Sequence, residues 1–459
     1  MGRGRREIPR RETGERVTTP SGHERTPGTA VPEAAAPPTA WPGEFRRHGG
    51  KLLAASIGVM ASCITLVNYS IGVFVLPLTQ EFGWSRQDVM LGSTTVTVGA
   101  LFTSFFVGWL ADRIDLARLI VASQFAFGLA FVALGVLVHD KWTFYAIFLS
   151  MAVLAGGTLP ITFTKVVATS FVRHRGLALG LTLSGTGLAG LLVPPYAGHF
   201  VNEYGWRAGF AAVGALPALV AMPLALAFLR GSAPHIPRAT AATRLTTATV
   251  PAEGLSFAAA LRTRRFWLLC AALFLASGAS TGMSTNLVPL LIDRGFAAPQ
   301  AANMAATFGL AVITGRIVTG VLIDRFWAPG LVCWFIVPAA FATWFIANQP
   351  VGFGAALALI AIVGLATGAE GDLLSYLVTR YFGMREYGRI FAAVFVVFIA
   401  AIAIAAPLFG RSHDLYGSYA GSMTFAAAAW IVCGALLLTL GPYPSWGDAA
   451  PQVRSMSRG

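Results

Sequence analysis

Charge is scarce in this sequence: Asp, Glu, Lys and Arg make up 12% of its 459 residues, while 56% are hydrophobic. A water-soluble domain of that length carries far more charge on its surface, so most of the chain must face lipid or other helices. Cysteine is sparse as well. The four present, Cys63, Cys270, Cys333 and Cys433, all lie inside apolar runs, without the close spacing that clips a metal or the loop placement that forms a disulfide. They read as packing thiols. The seven histidines fall in the tail, in the linker or near the ends of apolar runs. No His/Cys or Ser/His constellation and no glycine loop followed by Lys sits in a span. The chain is therefore not expected to be an enzyme, and neither a metal nor a cofactor is expected. With no ATP-binding domain in this chain, any coupled work must draw on an ion gradient or on exchange.

The charge that is present is unevenly placed. The formal balance is +13, and ten of the 33 Lys and Arg lie in the first 51 residues, interleaved with Glu, Pro and Thr. That composition reads as a disordered, solvated tail. It is not a signal peptide, because the first apolar run starts near Leu52 and is too long for an h-region. An anionic membrane surface is its expected partner, and nucleic acid is not.

From Leu52 onward, apolar runs of spanning length follow one another. Spans are expected near 52–77, 87–110, 117–138, 142–168, 177–200, 207–229, 265–291, 299–322, 330–347, 353–377, 388–409 and 420–441. The longest break is rich in Ala, Thr and Pro and reads as a flexible linker. The expected organisation is a basic tail 1–51, a six-helix bundle 52–230, a linker 231–264, a second six-helix bundle 265–441 and a tail 442–459. The halves repeat. Pro77-Leu78 recurs 212 residues later as Pro289-Leu290, and the same shift carries Glu81 to Asp293, Gly83 to Gly295, Asp112-Arg113 to Asp324-Arg325 and Tyr204-Gly205 to Tyr416-Gly417. One constant shift through successive loops means that the halves share the number and order of their elements. The fold class is an all-α membrane protein of about twelve transmembrane helices in two repeat-related bundles.

Alternate loops differ in cations. One side holds Arg113, Arg118, Arg173, Arg175, the linker arginines, Arg325, Arg380, Arg385 and Arg389; the other holds Arg86, Lys141, Arg207, Arg294 and Arg411. The cation-rich side is expected to be cytoplasmic, and with it both termini.

Away from the ends of the spans, four ionisable residues of the Asp, Glu, Lys and Arg types remain: Lys165, Arg316, Glu370 and Asp372. A charge at bilayer depth survives where it meets a cavity or a partner. At 1.5 Å per residue, Lys165, Arg316 and Glu370 each sit roughly 12–15 Å from the cytoplasmic edge, the midplane of a core about 30 Å thick. They describe either a polar site between the bundles or buried ion pairs that hold helices together. Glu370 and Asp372 point about 200° apart on a helix, so they cannot both face one cavity. Ser62, Thr65, Asn68, Tyr69 and Ser70 interrupt the first apolar span, and Ser280, Thr281, Ser284, Thr285 and Asn286 interrupt the seventh. Asn68-Tyr69 and Ser280-Thr281 coincide under the repeat.

Gly108-Trp-Leu-Ala-Asp112-Arg113, with Arg118 beyond it, and again Gly320-Val-Leu-Ile-Asp324-Arg325, resemble the loop motif of the major facilitator superfamily. Asp115 stands where that motif has a Gly, and Ala117 precedes Arg118. The resemblance implies that these residues latch the cytoplasmic helix ends and release them as the bundles rock. Within that superfamily the likeness is to monocarboxylate transporters and bacterial oxalate/formate-type antiporters. It rests on Gly72-Val-Phe-Val-Leu-Pro77 with Phe82-Gly-Trp-Ser85, on Arg175-Gly-Leu-Ala-Leu-Gly180 with Ser184-Gly-Thr-Gly187, and on Gly315-Arg316. Arg316 matches the eighth-span arginine that binds the substrate carboxylate there. Val312 and Tyr69 stand where monocarboxylate carriers have an acid and a Lys, and the eleventh span lacks the Lys of oxalate exchangers.

The expectation is a secondary transporter of a small carboxylate, coupled to a proton or a counter-anion, in a bacterial inner membrane. Arg316, Lys165, Tyr69, Asn68 and Asn286 are its candidate substrate-binding residues. Glu370 and Asp372 are candidates for proton coupling or a buried ion pair. Efflux of hydrophobic or cationic compounds is the alternative within transport, and a receptor or assembly factor the alternative outside it.

Overall fold

The computed structural model describes residues 41–110, 114–171, 175–229, 254–323, 325–383 and 385–444. Most of the expected linker and tails, together with Asp112, Arg113 and Asp324, lie outside the described residues, as does the side chain of Asp372. Every named element is a helix, and the one extended pairing among the described residues is a bridge between Gly254 and Gly383. Nine helical stretches among the described residues are long and apolar enough to cross a membrane. One of them, Leu177–Phe228, is 52 residues long and is turned into two passes at Gly205, where φ is 83°.

In chain order, the first bundle comprises α1 (Trp41–Met60), α2 (Cys63–Phe82), α3 (Arg86–Leu110), α4 (Leu116–Leu137), α5 (Lys141–Leu154), α6 (Pro160–Ser170), α7 (Arg175–Leu183), α8 (Gly185–Ala215) and α9 (Met222–Phe228). After a short helix α10 (Phe257–Leu261), the second comprises α11 (Arg264–Asp293), α12 (Ala298–Leu322), α13 (Ala328–Asn348), α14 (Phe353–Phe382), α15 (Tyr387–Tyr416) and α16 (Ala420–Leu438). With α1–α2 as one pass, α3 as another, α5–α6 as a third and α7–α9 as two, the run is consistent with twelve passes. The end of the molecule where α1 begins and α16 finishes is called proximal below, and the other end distal.

The repeat extends to backbone geometry. Gly83 and Gly295 have φ of 64° and 90°, and Gly205 and Gly417 have φ of 83° and 66°. Each pair is related by the 212-residue shift, and each occupies a conformation that a side chain would strain.

Three passes depart from the simple span. The first is broken at Ala61-Ser62, where Ser62 is extended (ψ 154°) and its hydroxyl lies 2.8 Å from that of Thr65. The fourth, expected as one span over 142–168, ends α5 at Leu154, makes a 3₁₀ turn over Gly156–Thr158 and restarts at Pro160. Proline has no N–H to give and holds Leu159 extended. The sixth contains a π-helical turn, Leu216–Ala221, just before Pro223, whose ring cannot donate to the preceding turn.

The two breaks of the first bundle meet: Thr158 Oγ1 accepts from Cys63 N at 3.0 Å, and Ser123 Oγ accepts from Gly157 N at 3.2 Å. Backbone donors freed inside a membrane need such partners. The seventh pass corrects an expectation, because α11 runs unbroken through Ser280, Thr281, Ser284, Thr285 and Asn286. Three of these side chains bond back to their own helix, Ser284 Oγ and Thr285 Oγ1 donating to Thr281 O at 3.2 and 2.7 Å and Asn286 Nδ2 to Gly282 O at 3.0 Å, and so leave the ladder intact.

The bundles meet along α8 with α12, α3 with α15, and α2 with α11. Small residues set the spacing. A Cβ on Gly309 would fall 1.9 Å from Leu191 N, and one on Gly72 would fall 2.5 Å from Thr285 O, so backbone lies against backbone across the seam.

Candidate functional site

Arg316 is carried on α12 at this seam. Gly315 and Gly368 press its helix against α14, since a Cβ on Gly315 would lie 2.2 Å from Leu365 O and one on Gly368 would lie 2.9 Å from Arg316 N. The half-buried guanidinium turns the other way, into the first bundle. Its Nη1 donates to the carbonyl of Leu183 and, at 3.1 Å, to Thr186 Oγ1. Both acceptors sit where α7 passes into α8 at Ser184. A cation of one bundle therefore holds neutral oxygens of the other.

Tyr69 approaches the same seam from α2. Its ring lies 3.0 Å from where a Cβ on Gly190 would stand, and its centroid is 6.4 Å from that of Phe308. Its hydroxyl is within electrostatic reach of both Arg316 and Glu370. Gly190 and Phe308 belong to α8 and α12, the helices that carry Thr186 and Arg316, so Tyr69 and Arg316 border one junction of three helices.

The other candidates are placed differently. Asn68, next to Tyr69, accepts from Ser93 Oγ of α3, inside the first bundle. Asn286 is fully buried on α11, with its amide nitrogen used within that helix and no hydrogen-bond partner for Oδ1 among the described residues. Lys165 is half-buried on α6, which packs on α1 and α7. Glu370 is 8% exposed and accepts from Ser280 Oγ of α11. It lines a cavity of about 10 Å³ with Leu273, Ala276, Ala366, Trp430 and Cys433, room for about one water inside the second bundle. The structure thus sets Arg316 and Tyr69 along the same three-helix seam and turns Glu370 toward α11 and α16.

Of the proximal loop residues, Gly108 lies in the last turn of α3 and Gly320 faces open space on α12. Arg118 is exposed, 3.9 Å from Asp115. Asp115, in the position where the motif has a Gly, caps α4 by accepting from Ala117 N at 2.9 Å, a helix-starting role for which Asp is suited. Arg325 is exposed.

Sequence reasoning missed a group of charges at the distal end: Arg86, Asp293, His413 and Asp414, contributed by both bundles. The Glu81-to-Asp293 repeat was the available signal, but it did not reveal which cation each acid takes.

Comparison with known proteins places these observations. A sequence model described as Major Facilitator Superfamily matches residues 57–398. Monocarboxylate transporter 11 of Homo sapiens is 26% identical over 434 residues, covering 90% of this chain and 85% of that protein. Monocarboxylate transporter 13 of Bos taurus is 27% identical over 307 residues, covering 64% of this chain and 67% of that one. The cis,cis-muconate transport protein of Acinetobacter baylyi is 27% identical over 161 residues, 35% and 37% of the two chains. Among solved structures, the peptide transporter POT in complex with sulfate aligns with a TM-score of 0.66 at 14% identity, over 85% of this chain and 94% of that chain. A bacterial homolog of the human lysosomal transporter Spinster, inward-facing and unoccupied, aligns with a TM-score of 0.60 at 17% identity, over 89% and 100%.

Proposed function

This chain belongs to the Major Facilitator Superfamily, and from that premise we propose that it carries a small organic anion, a mono- or dicarboxylate, by alternating access with proton coupling. Arg316 carries the reading. It is an arginine of one bundle that reaches oxygens of the other at their seam, the surface that must part and re-form as the bundles rock. A guanidinium presents a planar pair of donors that matches the two oxygens of a carboxylate. An anion entering the seam would take over donors now spent on Leu183 and Thr186, and Tyr69 would border it. The names of the relatives agree in kind, with monocarboxylates for two and muconate for a third.

Glu370 and Asp372 are the candidates for the coupled proton. Glu370 is shielded from solvent and held by a hydroxyl donor, so adding a proton there strands no cation. One proton moved with one monovalent anion transfers no net charge, so a negative interior would not oppose uptake. Lys165, Asn68 and Asn286 belong to this proposal as outer contributors reached during rocking. Included in the proposal are the domain limits 52–230 and 265–441 for the two bundles, which rest on the apolar runs and the linker between them, the cytoplasmic placement of the proximal end, which rests on the loop cations, and residence in a bacterial inner membrane, which rests on the resemblance. A cationic cargo would require a carboxylate at the seam; Glu370 is turned to Ser280, and the side chain of Asp372 lies outside the described residues.

Uptake of a panel of radiolabelled mono- and dicarboxylates into proteoliposomes, with and without an imposed pH gradient, tests the reading. The purified protein is then heated with and without the carboxylate that is taken up. Arg316→Lys keeps the charge and loses the fork, so it should remain folded and bind about tenfold or more weakly, the loss of one charge-assisted hydrogen bond. If the variant is stabilised as strongly as the parent by the same carboxylate at the same concentration, Arg316 is not the anion's partner.

A further inference from the structure

The repeat-related acids Glu81 and Asp293 stand at the distal ends of the first and seventh passes, yet they are neutralised in different ways. Glu81 is held within its own bundle: Arg207 Nη1 lies 2.9 Å from its Oε1, and Trp206 Nε1 donates to its Oε2. The 212-residue shift carries Arg207 to Tyr419 and Trp206 to Ser418, so the second bundle has lost the matching cation. Asp293 instead takes one from the other bundle. Arg86, at the start of α3, grips it with both terminal nitrogens, Nη1 to Oδ2 at 2.7 Å and Nη2 to Oδ1 at 2.9 Å. The repeat-mate of Arg86 is Ala298, so this cation has no duplicate either.

The surroundings fix that grip. Arg86 Cζ lies 5.3 Å from the ring centroid of Tyr419, which fills the place of the missing arginine. His413 Nε2 is 3.1 Å from Asp293 Oδ2. Asp414 accepts from the backbone N–H of Arg86 at 3.0 Å and of Gln87 at 2.8 Å, the free donors at the start of α3. A Cβ on Gly410 would stand 2.9 Å from Gln87 N, so α15 lies directly on that helix start. Two acids of the second bundle thus hold one residue of the first. The Arg86 side chain is 12% exposed and that of Asp293 28%, so the pair is partly shielded from the solvent that would weaken it.

We propose that Arg86 and Asp293, with Asp414, form the distal gate of this carrier, and that Tyr419 is the residue that makes the gate possible. With an arginine at 419, as in the first half, Asp293 would be neutralised inside its own bundle and Arg86 would be repelled. With tyrosine there, closing the distal end is the way to pair the acid. The proposal needs the bundles to move against each other and does not depend on the cargo, so it stands or falls separately from the anion reading.

Spin labels on cysteines at Trp142 and Phe353 report the separation of the two distal ends; both residues are exposed and lie on opposite bundles. Distances are measured by pulsed electron resonance in lipid nanodiscs, with the four native cysteines replaced. Arg86→Ala, Asp293→Asn and Tyr419→Arg should each raise the ratio of separated to closed distal ends about fivefold or more, the low end of ordinary site coupling. Tyr419→Phe should match the parent. Arg207→Tyr, which removes the intra-bundle pair on Glu81, should also match the parent. The proposal is overturned if Asp293→Asn keeps the parental distribution, if a folded Tyr419→Arg does so, or if Arg207→Tyr opens the distal end as much as Arg86→Ala.

Discussion

Single positions at the seam tolerate little, and glycine shows why. Gly309 faces Gly190 and Leu191 so closely that an added methyl would overlap backbone atoms at 1.9 and 2.1 Å, and backbone cannot move aside as the tip of a side chain can. Gly320, eleven residues along the same helix, has nothing near its would-be Cβ. Gly309→Ala is therefore expected to lower thermal stability by about 1–3 kcal/mol, the usual cost of overpacking, and to slow transport. Gly320→Ala should leave stability unchanged or slightly higher, because it relieves the helix of a glycine. Thermal unfolding in detergent followed by tryptophan fluorescence checks both; equal melting temperatures for the two variants would mean that the α8–α12 approach is not tight in solution. Sequence alone could mark both as glycines of the eighth span, and could not tell them apart.

At the scale of elements, the order of spans was readable because apolar length is a strong signal, whereas the interior of a span was not. Pro160 after Gly156-Gly157 was a visible breaker, yet the surrounding apolar run absorbed it into one span. Ala61-Ser62 carries no such mark, since alanine favours helix and serine is tolerated when it bonds backward. The break there depends on a partner in another pass, Thr158, that no local pattern names. The mirror case is α11, whose five polar residues suggested an interruption, whereas the helix is continuous and Ser284, Thr285 and Asn286 bond within it. The direction of Glu370 was equally hidden. Its position on α14 gave depth, and only packing decided that it meets Ser280. The pairing of the two breaks gives a test. Thr158→Val keeps the volume and removes the oxygen that receives Cys63 N–H, leaving a buried donor without its acceptor. It should cost about 1–3 kcal/mol. A melting temperature equal to the parent's would mean that another group satisfies Cys63.

For the whole molecule, alternating access is an equilibrium between closure at the distal end and closure at the proximal end, and the two ends are built from different materials. Distal closure uses Arg86 on Asp293, a bidentate pair across the bundles. The proposed proximal latch uses the duplicated loop residues, of which Asp112, Arg113 and Asp324 lie outside the described residues and rest on the sequence resemblance. If each device stabilises one of the two states, weakening both should leave the balance nearly where it began. The ends lie at opposite faces of the membrane, and sites so far apart with no shared partner add within about 0.3–0.5 kcal/mol. Arg86→Ala should raise the distally open population, and Asp112→Asn should lower it while slowing transport more than it weakens substrate binding. The double variant Arg86→Ala/Asp112→Asn should return the Trp142–Phe353 label distances toward the parental distribution. Recovered distances with transport still slow are expected, because barriers as well as populations depend on both devices. A double variant that stays as open at the distal end as Arg86→Ala alone would remove the proximal loop from the equilibrium and leave the distal pair as the element that sets it.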